Sequence, residues 1–129
     1  MQNPNVARVI INELLEIEII KAHPDFELVA GLGHNDDLHQ AILDKKAHIV
    51  IDLTRADCVY KNSLTIIEAG ANPVIGTSGL IDDEIKVLRQ HCEAARLGGL
   101  IVPNFSIAAV LMMRFAAEAA RFLPDVEII

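Results

Sequence analysis

Apolar residues in this chain fall into short, unbroken runs separated by stretches with helical spacing. Residues 8–11 (Arg-Val-Ile-Ile), 26–30, 48–53 (His-Ile-Val-Ile-Asp-Leu), 73–75 and 100–102 read as strands. Continuous apolar runs bounded by turn residues fit strands buried on both faces of a sheet. Between them, residues 13–22, 36–45, 57–69, 82–96 and 106–122 read as helices. The punctuation agrees. Asn12 is a candidate N-cap, Pro24 breaks the first helix, and Asp36 and Asp37 suit a helix N-terminus. Gly70 is the usual left-handed terminator, and Gly98 with Gly99 stops the fourth helix. Ile85, Leu88, Cys92 and Ala95 fall on one face of that helix. Strand–helix alternation at this rhythm predicts an α/β fold: a doubly wound, mostly parallel sheet with helices on both faces. A last apolar run, residues 126–129, reads as a further strand. It predicts that residues 1–125 form one domain and 126–129 open a second. A sixth strand of the same sheet is the other reading.

Composition narrows the class. The 129 residues are 52% hydrophobic but only 4% aromatic, so the core is aliphatic, as in buried parallel sheets. A formal charge of −7 argues against nucleic-acid or anionic-membrane partners. No signal-peptide pattern and no bilayer-length apolar run is present, which points to a cytoplasmic protein. Cys58 and Cys92 are too isolated for a disulfide framework or a metal site and read as buried thiols. His23, His39, His48 and His91 lack metal-ligand spacing and read as surface or strand-edge residues.

The candidate chemistry sits where the strands end, because open α/β sheets bind ligands outside their carboxyl edge. After the third strand come Thr54, a hydroxyl, and Arg55, a planar cation able to stack on a base or pair with a phosphate. After the fourth come Gly76, Thr77, Ser78 and Gly79, where glycines let backbone amides approach a ligand. After the fifth come Pro103, Asn104, Phe105 and Ser106; Ser106 is equally a plain helix N-cap. Three such exits in series predict one shared crevice. Met112 and Met113 lie in an Ala-rich helix that reads as core or domain-junction material. Arg114, Glu118 and Arg121 on the same helix are explained by local pairing.

The order and spacing of Ile51-Asp52-Leu53-Thr54, Val74-Ile75-Gly76-Thr77-Ser78-Gly79, Val102-Pro103-Asn104-Phe105-Ser106 and Val126-Glu127-Ile128-Ile129 resemble the dihydrodipicolinate reductases. The resemblance covers nearly the whole chain and corresponds to that family's amino-terminal, nucleotide-binding part. It implies a Rossmann-like fold and reduction, by NADPH or NADH, of a small dicarboxylate to tetrahydrodipicolinate for lysine and diaminopimelate synthesis. It implies that Gly76, Thr77 and Gly79 line the nicotinamide ribose and that Thr77 reaches the substrate. It also implies that Pro103, Asn104 and Phe105 contact the nicotinamide end, that Thr54 and Arg55 lie toward the adenosine, and that the protein is a homotetramer.

Two departures stand out. The family places a Gly-x-x-Gly-x-x-Gly turn directly after its first strand, whereas Asn12 here runs straight into Glu13-Leu14-Leu15-Glu16. The segment is about six residues short of that motif. Its glycines would bring a pyrophosphate onto a helix N-terminus. Glu13 there would instead repel it, by ~4 kcal/mol for unit charges about 4 Å apart at an effective dielectric near 20. The turn is either deleted, or further coding sequence lies between Asn12 and Glu13. The second departure is that the family's catalytic His/Lys stretch would fall beyond Ile129, so no catalytic residue can be assigned. Nucleotide choice rests on the loop after the second strand, Gly31-Leu32-Gly33-His34-Asn35-Asp36-Asp37. It has no carboxylate at the strand tip, and His34 stands where some members carry Arg. A protonated His34 could receive a 2′-phosphate, which leans the reading to NADPH with dual use. The rival readings are a non-catalytic, reductase-derived binding or scaffold protein and a different small-molecule dehydrogenase on the same sheet.

Overall fold

The computed structural model describes residues 5–12, 17–102 and 107–122. Strands and helices alternate as β1 (Ala7–Asn12), α1 (Ile17–Ala22), β2 (Phe26–Leu32), α2 (Leu38–Lys45), β3 (Ile49–Asp52), α3 (Val59–Glu68), β4 (Asn72–Ile75), α4 (Asp82–Ala95), β5 (Leu100–Ile101) and α5 (Ile107–Ala120). The five strands form one sheet in the order β2-β1-β3-β4-β5, with every neighbouring pair parallel. The predicted α/β class and parallel pairing hold. The run at 126–129, and with it the boundary at 125, lies outside the described residues.

The strand order reverses between β1 and β3. From β1 the chain steps outward to β2, then crosses back and continues to β5. Right-handed crossovers therefore put α1 on one face and α2, α3 and α4 on the other. The packing agrees. Ile10, Val50, Ile42 and Ile66 form one cluster, and Ile75, Val59, Ile67 and Leu88 form another beside it. Val9 and Ile11 point to the opposite face and are also buried. Pro73 is accommodated inside β4 because the amides of Asn72 and Gly76 bond to β3, which turns the proline nitrogen toward β5. There β5 has not yet begun, since its first residue pairs with Val74, so no ladder bond is lost.

Several expected boundaries shift, for local reasons. The second helix begins at Leu38 rather than Asp36, because Asp37 is extended and its carboxylate accepts from the Gln40 amide at 3.0 Å. The third begins at Val59 rather than Asp57. The fourth ends one residue early, where Arg96 itself takes the left-handed conformation (φ 56°), two residues before the expected glycine stop. Gly70 terminates α3 as expected, with φ 82°. Of the four α4 residues predicted to share one face, Leu88 is buried, Ile85 and Cys92 are half-buried and Ala95 is exposed. Cys58 and Cys92 are half-buried rather than buried. On α5, Met112 and Phe115 are exposed, and Arg121, just past its end, pairs with Glu118 as the spacing predicted.

Candidate functional site

The carboxyl edge of the sheet opens where β1 stands between β2 and β3, the reversal point at which such sheets bind ligands. An open cleft of about 1090 Å³ lies there. Asn12 from β1, Leu32 and Gly33 from the tip of β2, and Thr54 and Arg55 from the exit of β3 line it, along with Lys61 and Asn62 from α3. A bulge in β2, where Val29 is skipped between the pairs Val9–Leu28 and Ile10–Ala30, re-aims the last residues of that strand toward the cleft.

The exit of β3 is built around Asp52, which is fully buried. Its Oδ1 accepts from the Thr54 amide at 2.9 Å and from the Thr54 hydroxyl at 2.6 Å. The same hydroxyl accepts from Asn62 Nδ2 at 3.0 Å. Thr77, at the exit of β4, donates its hydroxyl to the Thr54 carbonyl at 2.9 Å, with the Asp52 carbonyl at 3.3 Å. Gly79 (φ +117°) presses its backbone against Ala56, so that an added Cβ would lie 2.5 Å from the Ala56 Cβ. The exits of β3 and β4 thus form one packed unit.

Of the residues expected at the site, His34, Thr54 and Arg55 meet in the cleft. Thr77 sits behind Thr54 rather than in the lining, with Gly76 beside it and Gly79 against Ala56. Pro103, Asn104 and Phe105 lie outside the described residues. Both threonine hydroxyls have their protons committed to internal acceptors. The side-chain donors these loops leave at the surface are therefore the exposed Ser78 hydroxyl and Arg55, whose side chain is exposed and pairs with Asp57 at 3.1 Å.

The sequence reading missed the carboxylate at the tip of β2. Asp36 lies four residues beyond the strand, but its turn folds it back: Asp36 Oδ2 accepts from the Gly33 amide at 2.7 Å, and its own amide donates to the Gly33 carbonyl at 3.1 Å. An Asp three residues after a tip glycine was the available signal. Lys61 and Asn62 were missed because they lie within the helix after the exit, although its first turns face the strand tips.

The cleft thiol is quiet. Cys58 donates to Asp57 Oδ1 at 3.4 Å, and that bond, with partial burial and the nearby carboxylate charge, raises its pKa above the ordinary thiol value. Burial raises that of Cys92. Neither is an activated nucleophile. Among the described residues no group of three His, Cys, Asp or Glu side chains is placed to hold a metal. None of the described helices is long and apolar enough to cross a membrane.

These residues fit the adenosine half of a nicotinamide dinucleotide. A carboxylate pinned at the β2 tip suits a ribose diol, a Cβ added at Gly33 would meet only Asp36 Oδ2, at 3.7 Å, and Arg55 can stack on a base. The pyrophosphate seat fits less well, because no glycine follows Asn12.

Known proteins share much of this sequence and its fold. A family model described as dihydrodipicolinate reductase, N-terminus, matches residues 15–105. The match starts just past the Asn12–Glu13 junction, where the glycine turn is missing. The 4-hydroxy-tetrahydrodipicolinate reductase of Legionella pneumophila (strain Paris) is 53% identical over 128 residues, covering 95% of this chain and 53% of the relative. That of Coxiella burnetii (strain Dugway 5J108-111) is 49% identical over 112 residues, covering 87% and 47%. The structure of dipicolinate-bound dihydrodipicolinate reductase from Paenisporosarcina sp. TG-14 superimposes with a TM-score of 0.79 at 28% identity, over 89% of this chain and 54% of that one. The chain spans about half the length of the curated relatives it matches.

Proposed function

This chain belongs to the dihydrodipicolinate reductase family, and from that membership we propose that it is the nucleotide-binding part of a 4-hydroxy-tetrahydrodipicolinate reductase. The reaction is transfer of hydride from NADH or NADPH to a small cyclic dicarboxylate. The observation that carries the reading is the cleft at the β1/β3 reversal, with Gly33, Thr54 and Arg55 converging on it from two strands.

In this reading the adenosine ribose lies against Asp36 and His34, and Arg55 covers the base or a phosphate. Gly76, Thr77 and Gly79, with Pro103, Asn104 and Phe105, face the nicotinamide end. Thr77 meets the substrate through its backbone amide, because its hydroxyl is engaged with Thr54. Proton donation and grip on the dicarboxylate belong to a second domain that residues 126–129 begin. The assembled enzyme is a cytoplasmic homotetramer by analogy with the family.

Nucleotide choice is divided. The Asp36 carboxylate supports NADH, since it accepts hydrogen bonds from a ribose diol and repels a 2′-phosphate. His34, when protonated, supports NADPH.

One observation favours a second reading. Asn12 leads into Glu13 with no glycine, so a pyrophosphate would meet a carboxylate. A reductase-derived scaffold that has lost nucleotide binding would carry that change.

A fluorescence titration with NADH and with NADPH separates the two. The reductase reading expects saturable binding of at least one nucleotide and consumption of it with the dicarboxylate when the catalytic domain is present. Absence of binding by the intact protein supports the scaffold.

A further inference from the structure

Asp52 is fully buried at the end of a central strand, and among the described residues no cation pairs with it. Its Oδ2 is buried with no hydrogen-bond partner among the described residues. Burying a carboxylate this way is costly, and an acceptor left without a donor adds to the cost. Core packing alone would be served better by an aliphatic residue, as at its register partner Ile75. What Asp52 supplies is Oδ1, which takes both polar hydrogens of Thr54.

Those two bonds fix the residue at which the chain leaves β3 for the cleft. Asn62 then fills an acceptor position of the Thr54 hydroxyl from α3, and Thr77 clamps the Thr54 carbonyl from β4. The backbone of Gly79 rests on Ala56 just beyond. One buried carboxylate therefore sits at the root of both exit loops, with no side-chain atom of its own lining the cleft.

We propose that Asp52 is the positioning residue of the nucleotide cleft: it locks the Thr54 backbone, and through the Thr77–Thr54 bond it holds the β3 and β4 exits as one unit. The nucleotide arm of this inference rests on the function proposed above; the lock itself does not. Asn at position 52 keeps an oxygen for Thr54 and replaces the charged, unpartnered Oδ2 with an amide nitrogen, whereas Ala removes the acceptor. Ser at position 77 keeps the hydroxyl donor, whereas Val removes it.

The test compares Asp52→Asn, Asp52→Ala, Thr77→Ser and Thr77→Val with the intact protein. It reads amide hydrogen exchange at Thr54 and the dissociation constant for NADH or NADPH. The Leu53 amide, which donates to the Asn12 carbonyl at 3.1 Å, is the internal control. In Asp52→Ala, Thr54 exchange accelerates about tenfold or more while Leu53 changes little, as expected for loss of a charge-assisted bond. Nucleotide affinity falls by about the same factor, and Asp52→Asn restores most of both. Thr77→Val weakens nucleotide binding and loosens the Gly76 and Gly79 amides; Thr77→Ser does neither. Unchanged Thr54 exchange in Asp52→Ala, or an Asn variant as impaired as Ala, overturns the proposal. If Asp52→Ala does not fold, the Asn variant and the Thr77 pair decide it: no difference between Ser and Val at position 77 overturns it. If the wild-type protein binds no nucleotide, the proposed function falls, and the exchange data still judge the lock.

Discussion

Asp36 shows how a residue far along the chain can govern the tip of a strand. In sequence it is the first of two acids before a helix, and dipole stabilisation accounts for both. In the fold only Asp37 caps the helix, while Asp36 turns back to the Gly33 amide. A sequence pattern does not reveal this division, because the turn conformation decides it. The same holds for Thr54 and Thr77. Their hydroxyls mark the site in the sequence, yet in the structure they brace the loops from within. His34 remains exposed beside Asp36. Asp36→Asn should therefore shift the ratio of NADPH to NADH affinity toward NADPH by about tenfold, the scale of one close charge repulsion at the cleft surface. Competitive titration of the two nucleotides measures it, and an unchanged ratio would remove Asp36 from the ribose position.

The elements themselves were largely legible. The apolar run Ile49-Val50-Ile51 within residues 48–53 and the run Pro73-Val74-Ile75 announced β3 and β4 without apolar–polar alternation, as buried parallel strands do. Gly70 announced the end of α3, because a left-handed residue was needed there. Arg96 hid the end of α4, because an arginine at φ 56° leaves no compositional mark. The start of α4 is held by a half capping box, with Glu84 Oε2 accepting from the Ile81 amide at 3.1 Å and no side-chain cap in return. Tertiary contact therefore matters more than usual in seating the loop before it. That loop turns on Gly79, whose conformation and contact with Ala56 both exclude a side chain. Gly79→Ala should destabilise the fold by about 2 kcal/mol or more, through strain at positive φ and overpacking. A thermal melt should show a drop of roughly 8 °C. A melt within a degree of wild type would mean that the two exits are not packed as described.

At the scale of the whole molecule, the sheet order does most of the functional positioning. Reversal between β1 and β3 leaves a gap at the carboxyl edge that no single loop creates, and residues from β1, β2 and β3 meet there only because the strands are parallel and in register. The sequence predicted a shared crevice from three adjacent exits. Among the described residues a cleft opens between the exits of β2 and β3, with Thr77 of the β4 exit packed behind Thr54, while the β5 exit lies outside them. The part played by β2 was invisible in the sequence because strand order is not written in strand composition. The most direct measurement is an amide-resolved titration of the intact protein with NADH. Saturable shifts at Gly33, Thr54 and Arg55, with Ala47 and Ala71 at the opposite, amino edge of the sheet unmoved, are the expected result. Saturation without change at those three amides, or no response at any concentration, would contradict a nucleotide seat at the β1/β3 reversal.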